Sequence, residues 1–529
     1  MPTLNTPSLD TPTPTRLTFA ALTEPQLARL GQEVAFCLKP GDIVTLLGDL
    51  GAGKTTFARS TIRALAADAA VEIPSPTFTL VQTYDTPRFP IAHLDLYRIA
   101  APDELDELGL DDLLRSGAAL VEWPQRAGDR LTGDRLELAL SVGGPDAASE
   151  TRDVDLAGHG AWAARLSRLA ALHGTIRAAG FTADDDHLAF MEGDASARRY
   201  GRITRADGTS AILMDWPRQA DGPPIADGRP YSRIAHLAED VSAFVAVAGH
   251  LVRHGICAPE IISTDLASGI LVLTDLGEAT FGRALQAGQP QDALWGAAVD
   301  VLVAARAIPV TEPLPVAGGQ PHSLPAYDTS ALAIETKLVP DWFWPLACRQ
   351  PCPQTARDRF AAAWAPLIAE IAASPRHLVL RDYHSPNLMW RSHADGLARV
   401  GVIDFQDAVA GHPGYDLVSL LQDARLDVPA ALESALLERY CAAVTAREPG
   451  FDEPGFRRAY AILGAQRNTK ILGIFARLWL RDGKPRYLSH LPRIWGYLER
   501  DLAHPALSDL RAWYDEAFPA AVRRQPIPT

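Results

Sequence analysis

The chain has 529 residues, too many for one ordinary core, so two or three domains are expected. Its 47% hydrophobic and 22% charged residues exclude a low-complexity or disordered chain. Net charge is −14, and residues 1–160 hold most of it, with 13 Lys+Arg against 23 Asp+Glu. So acidic a segment is a poor direct ligand for a polyphosphate backbone, and any service to a nucleic acid would pass through a partner protein.

In chain order, residues 1–15 are a Thr/Pro-rich stretch with neither a basic nor an apolar segment, expected to be a disordered tail and no signal peptide. No apolar run approaches the roughly 20 residues a bilayer crossing needs, so no membrane role is expected. Five sparse cysteines (Cys37, Cys257, Cys348, Cys352, Cys441) fit a reducing, cytoplasmic setting. Cys348-x3-Cys352 has no second ligand pair, which favours free thiols over zinc.

Residues 16–40 contain a helical pattern from Glu24 to Leu38. The apolar run Ile43–Leu47 then leads into Gly48-Asp49-Leu50-Gly51-Ala52-Gly53-Lys54-Thr55, a complete phosphate-binding loop. Its glycines let successive N–H groups turn inward on phosphate oxygens. Lys54 supplies charge for the outer phosphates, and the Thr55 hydroxyl is placed for Mg²⁺. From Thr56 on, a helix follows whose N-terminus favours the same anion. Short strands are expected at Phe78–Tyr84, Ile91–Tyr97 and Ala118–Trp123, with an acidic helical turn at Asp103–Leu108. A hairpin is expected from Leu136–Val142 and Arg152–Leu156 around the Gly-Gly-Pro at 143–145. Residues 161–179 repeat apolar positions at helical spacing (Trp162, Leu166, Leu169, Leu172, Ile176). The division is thus 16–160, a helical junction at 161–183, and a second unit over 184–529. The junction carries no flexible linker, so the two parts are expected to lie close. The second unit opens with strands (Tyr200–Thr204, Ala211–Met214, Leu271–Leu273) and turns helical after Phe281.

A P-loop enzyme needs one acid to hold Mg²⁺ with the loop threonine and one group to position water. Asp95 and Glu122, each ending an apolar strand, supply both, with the division of roles open. Together with Ser75-Pro-Thr-Phe-Thr-Leu80, His93-x-Asp-Leu-Tyr-Arg98, Glu104-Leu-x-x-Leu-Gly109 and Glu122-Trp-Pro124, the loop makes residues 16–158 resemble the TsaE (YjeE-type) family. That family is the ATPase of the bacterial complex that makes threonylcarbamoyladenosine in tRNA. The resemblance implies ATP on Gly48–Thr56, Mg²⁺ among Thr55, Asp95 and Glu122, Thr77 as a γ-phosphate sensor, and Trp123 near the nucleotide. It also implies work alongside the ligase subunits of the tRNA threonylcarbamoyl transfer complex, with tRNA reached only indirectly.

Further on, Leu378–Leu380 is an apolar strand followed by Asp382 and, five residues later, Asn387. A second strand, Val400–Ile403, ends in Asp404. Kinase chemistry uses this triple: Asp382 to accept the proton of the attacking hydroxyl, Asn387 and Asp404 to hold the metals that bridge the phosphates. Residues 184–500 resemble the aminoglycoside/choline phosphotransferase group of the kinase-like fold. Gly193-Asp-Ala-Ser-x-Arg-Arg-Tyr200, Leu324-Pro-x-Tyr-Asp328, Asp382-Tyr-His-Ser-Pro-Asn387 and Gln466-Arg-Asn-x-Lys470 are most similar to its anomeric N-acetylmuramate/N-acetylglucosamine kinases (AmgK-type). The resemblance implies an amino-sugar substrate and places Ser196 and Arg199 at a second ATP. One departure is Met214, which stands where the phosphate-pairing lysine belongs. The intact triple favours an active kinase over a pseudokinase, with Arg198, Arg199 or Arg202 as the substitute cation. Glu335 and Lys337 read as a solvated pair, and Trp342, Trp344 and Trp364 as core. Arg467 and Lys470 share a helix face that is either solvated or turned to substrate. Arg381 and His384 either bind substrate or brace the loop.

The expected fold class is an α/β P-loop NTPase domain followed by an α+β protein-kinase-like domain of the aminoglycoside phosphotransferase type. The rivals are a kinase for another hydroxyl, on an aminoglycoside or choline, and a catalytically silent regulatory module.

Overall fold

The computed structural model describes residues 16–68, 70–131, 134–142, 150–191 and 198–523. The expected disordered tail, the Gly-Gly-Pro loop and most of the Gly193–Tyr200 motif, Ser196 included, lie outside these described residues. Two compact units form, and they do not follow chain order. One takes the chain up to Pro217 together with Ile262–Asp275; the other takes Arg218–Ile261 and Leu276 onward.

The first unit is built on a seven-stranded sheet. Its strands are β1 (Arg16–Leu22), β2 (Ile43–Leu47), β3 (Val81–Tyr84), β4 (Ile91–Asp95), β5 (Ala118–Glu122), β6 (Arg135–Val142) and β7 (Arg152–His159), in the order β1-β7-β6-β2-β5-β4-β3. β2 runs parallel to β5 and β6, and β4 parallel to β5. Strands β2, β4 and β5 are nearly continuous buried runs because both faces are covered, whereas β6 alternates buried and partly exposed residues. β4 and β5 are buried along their full length. The register sets Asp95 directly opposite Glu122, so the two carboxylates meet at one sheet end.

Strand β1 is absent from the sequence expectation. It pairs antiparallel with β7 at the sheet edge, and a register shift between Phe19 and Leu22, with Ala21 at φ +54°, breaks the alternation that would signal a strand locally. Thr23 and Gln26 then form a reciprocal capping box that starts α1 (Glu24–Cys37) at once. Helix α2 (Lys54–Ala66) follows the phosphate loop. The expected strand Phe78–Tyr84 is shortened, since residues 76–80 form a turn with Leu80 at φ +61° before β3 begins. The acidic turn is α3 (Glu104–Glu107), followed by α4 (Leu110–Ser116).

The junction segment is α5 (Ala161–Ala178), and its apolar residues Trp162, Leu166, Leu169, Leu172 and Ile176 are all at most 1% exposed. Beyond it lies a five-stranded sheet of β8 (His187–Met191), β9 (Arg199–Thr204), β10 (Ser210–Asp215), β11 (Ile261–Asp265) and β12 (Ile270–Thr274), ordered β11-β12-β10-β9-β8. One apolar core joins this sheet to the first. It runs from Leu30, Val34 and Phe36 of α1 through Leu166 and Leu172 of α5 to Leu188, Ile203, Leu213 and Val272. Polar ties reinforce it: the Leu188 N–H donates to Gln32 at 2.8 Å, and Arg168 donates to the Ser268 carbonyl at 2.7 Å. The expected boundaries at 160 and 184 therefore divide the sequence but not the packing of this unit.

The second unit is mainly helical. It includes α6 (Thr329–Thr336), α7 (Gly414–Leu421) and the long α8 (Glu453–Leu480). Two short antiparallel ribbons carry its loops. Strand β13 (His377–Val379) pairs with β16 (Val409–Gly411), and β14 (Leu388–Trp390) pairs with β15 (Val400–Val402). Asp382 and Asn387 lie between β13 and β14; Asp404 lies just after β15. Among the described residues no helix is long and apolar enough to cross a membrane.

Candidate functional sites

In the first unit the loop between β2 and α2 takes the backbone its glycines permit, with Gly48, Gly51 and Gly53 all at positive φ. At Gly48 a Cβ would come within 2.5 Å of the Leu140 carbonyl oxygen, so only glycine fits. The ammonium of Lys54 donates to the Gly48 and Asp49 carbonyls at 2.8 and 2.9 Å and sits 4.1 Å from the centre of the Trp123 ring. Burial lowers its pKa, and the charges of Glu122, Asp95 and Asp49 oppose that. A buried cation lying over its own loop carbonyls is a charge awaiting an anion.

The acids stand beside it. The Thr55 hydroxyl donates to Glu122 Oε1 at 2.9 Å, and His93 Nε2 lies 3.0 Å from the same oxygen. Thr77 donates to Asp95 Oδ2 at 2.8 Å, while the Tyr97 N–H donates to Oδ1 at 3.0 Å. Asp95 and Glu122 are each 3% exposed. Two buried carboxylates with two hydroxyls form a hard-oxygen donor set that suits Mg²⁺. Thus Lys54, Thr55, Thr77, Asp95, Glu122 and Trp123 converge, as expected from sequence. Arg152 was missed: from the start of β7 it donates to the Ala52 carbonyl at 3.0 Å and braces the loop from outside. No local motif marks it, because its partner is a hundred residues away. Beyond Thr56 a cavity of about 820 Å³ opens, lined by Glu24, Gln32, Arg59, Arg63 and His187 among others. Three large apolar side chains beside site residues face solvent: Leu50 (88% exposed), Phe78 (80%) and Tyr97 (50%).

The five-stranded sheet bears Met214, fully buried on β10. Arg199 was expected at ATP, but its guanidinium is already committed. It pairs with Asp215, donates to the Phe36 carbonyl at 2.9 Å, and lies over the Phe36 ring. Arg202 is held by Asp275 at 2.7 Å. Arg198 lies 5.1 Å from the centre of the Trp216 ring.

In the second unit the catalytic-loop triple comes together. Asn387 Nδ2 donates to the Asp382 carbonyl at 3.0 Å and reaches Asp404 Oδ2 at 3.4 Å. The Ile403 N–H donates to the Asn387 carbonyl at 3.0 Å, tying the two loops. Asp404 sits at φ +62° and accepts from Gln406 at 3.2 Å. These oxygens also fit a hard divalent cation.

Beneath the loop Asp416, from α7, accepts the Leu380 and Arg381 N–H groups at 2.6 and 2.9 Å. Burial pushes its carboxyl up to about 7, against those two bonds. Sequence reasoning overlooked Asp416, a lone acid in an apolar helical run. Arg381 is 3% exposed and braces the loop. It pairs with Glu335 at 2.5 Å and donates to the Ala235 carbonyl at 2.7 Å. Glu335 is a correction: it is not solvated with Lys337 but fully buried, with Lys470 at 2.8 Å and Gln466 at 3.0 Å. Burial alone would raise its carboxyl, but Lys470 and Arg381 outweigh that and hold it at about 2. Trp344 and Trp364 are buried, as expected of core.

Comparison with known proteins assigns a different family to each part of the chain. The family profile described as threonylcarbamoyl adenosine biosynthesis protein TsaE matches residues 22–151, and that of the phosphotransferase enzyme family matches 187–456. An N-acetylmuramate/N-acetylglucosamine kinase of Caulobacter vibrioides is 41% identical over 343 residues, 63% of this chain and 93% of that protein. One of the same name from Pseudomonas aeruginosa is 37% identical, covering 60% of this chain and 84% of that protein. The tRNA threonylcarbamoyladenosine biosynthesis protein TsaE of Rickettsia felis is 44% identical over 119 residues, 22% of this chain and 69% of that protein.

Proposed function

Since the chain belongs to the TsaE family through its first part and to the phosphotransferase enzyme family through its second, we propose that it joins two ATP-dependent activities. The first part serves as the ATPase of tRNA threonylcarbamoyladenosine modification. The second phosphorylates the anomeric hydroxyl of N-acetylmuramate and N-acetylglucosamine, as in cell-wall recycling.

The kinase reading rests above all on the grouping of Asp382, Asn387 and Asp404. Asp382 orients the C1 hydroxyl and takes its proton as the new ester forms. Asn387 and Asp404 hold Mg²⁺, which when bound offsets charge on the transferring phosphoryl group. Arg381 and Asp416 fix the loop so that Asp382 is already in place.

For the ATPase, Gly48–Thr56 and Lys54 hold the triphosphate, and the cavity past Thr56 has room for the nucleoside. Thr55, Asp95 and Glu122 hold Mg²⁺, and one of the two acids aligns the attacking water. The acidic balance of residues 1–160 and the exposed Leu50, Phe78 and Tyr97 beside the nucleotide site support docking on a protein, the ligase subunits, rather than on tRNA.

Phosphorus NMR of the product formed from each sugar and ATP tests the kinase reading, because it locates the new ester on the ring. A 1-phosphate is expected; transfer to O6 would favour another kinase specificity. Met214 in place of a lysine favours a silent module, and no transfer to any hydroxyl substrate would establish that rival.

A further inference from the structure

Helix α8 passes the catalytic loop with a row of buried polar residues. Nearly all of them have clear partners. Gln466 and Lys470 serve Glu335, Asn468 donates to Gln422 Oε1 at 2.6 Å, and Thr469 shares a 2.7 Å bond with Tyr514. Arg467 differs. It is 4% exposed, and its guanidinium makes a single 3.4 Å contact, to the Gln422 carbonyl. Among the described residues it forms no salt bridge and no second hydrogen bond. A buried guanidinium without an anion is unfavourable. The chain nevertheless keeps one here.

Its surroundings indicate where the anion would come from. The charges of Arg467 and Arg425 act on His384, which also feels Asp382 two residues earlier. Arg467 acts as well on Asp416, directly behind the catalytic loop. Geometry gives the same placement: the Gln422 carbonyl that Arg467 touches adjoins Asp423, which accepts the Ser385 N–H of the catalytic loop at 2.8 Å. The two acceptor sugars differ in one feature: N-acetylmuramate bears a lactyl carboxylate on O3, where N-acetylglucosamine has a hydroxyl. C3 is separated from the reacting C1 by C2 alone.

We propose that Arg467 is a specificity residue that pairs with the lactyl carboxylate of N-acetylmuramate. This inference rests on the kinase reading above. A guanidinium suits the task because its planar fork meets both oxygens of a carboxylate.

The test is the ratio of kcat/KM for N-acetylmuramate to that for N-acetylglucosamine, measured on the full chain. Arg467→Met should lower this ratio by at least about thirtyfold, as expected when one member of a buried charge pair is removed. Equal loss on both sugars would overturn the inference and make Arg467 a brace of the loop. A raised KM for ATP with the ratio unchanged would also overturn it, by placing the anion on the nucleotide. If the wild-type chain phosphorylates neither sugar, the kinase reading itself fails and the inference with it. Should Arg467→Met fail to fold, the wild-type enzyme decides. The methyl ester of N-acetylmuramate should then be a poorer substrate than the acid by a similar factor, and equal efficiency would refute the pairing.

Discussion

Asp416 gives the second unit a stability that depends on pH. The perturbation is Asp416→Asn, which keeps the shape and removes the charge. In the folded chain the carboxyl titrates at about 7 rather than at its ordinary 3.8. Below the ordinary value both folded and unfolded chains carry the proton, and the contribution is fully present. As pH rises the unfolded chain loses its proton first, so folding weakens until the folded carboxyl also ionises. At about 1.4 kcal/mol per tenfold in a proton equilibrium, the penalty reaches roughly 4 kcal/mol above pH 7. The variant lacks this slope, although it loses a good acceptor for one of the two N–H groups, at about 1–3 kcal/mol. Urea midpoints for both proteins between pH 4 and pH 8 measure the difference. The variant should be the less stable at pH 4, and the gap should close or reverse by pH 8. Parallel curves for the two proteins would refute the reasoning, since a residue that titrates alike folded and unfolded produces no slope.

Lys54→Ala should remove one of two ATP-binding events seen by calorimetry on the full chain while sugar phosphorylation persists. Gly48→Ala forces a Cβ against the Leu140 carbonyl, and strain of about 1–3 kcal/mol should weaken the same binding event by roughly 5- to 150-fold. Asp382→Asn should lower kcat for the sugar by about 10²–10⁴ with ATP binding kept, whereas Asp404→Ala should instead raise the Mg²⁺ and ATP requirement; initial-rate kinetics separate the two. Filter binding should find negligible tRNA retention by the chain alone at physiological salt, and tight, salt-sensitive retention would contradict the indirect role.

Both sites are legible in the sequence where chemistry is local. The phosphate loop, Asp95, Glu122, Asp382, Asn387 and Asp404 all sit at strand ends or in loops whose spacing announces them. What escaped depends on distant partners. Glu335 reads as a surface acid because nothing near it in sequence suggests its partners Arg381 and Lys470, which lie 46 and 135 residues further along the chain. Arg199 belongs to a sequence motif that stands where a phosphate-covering loop is expected, yet Asp215 and the Phe36 carbonyl hold it. Strand β1 has its reason in β7, which lies beyond most of the first unit.

The continuous core of the first unit has an evolutionary meaning. Leu30, Val34 and Phe36 belong to the ATPase sequence and Leu188, Ile203 and Val272 to the kinase sequence, yet they are buried in one cluster. A substitution that loosens either group loosens both. On the function proposed above, the two activities share one reserve of mutational tolerance. Returning the halves to separate genes would require new polar surfaces on α1 and on the kinase sheet at the same time. The fusion, once packed this way, resists reversal.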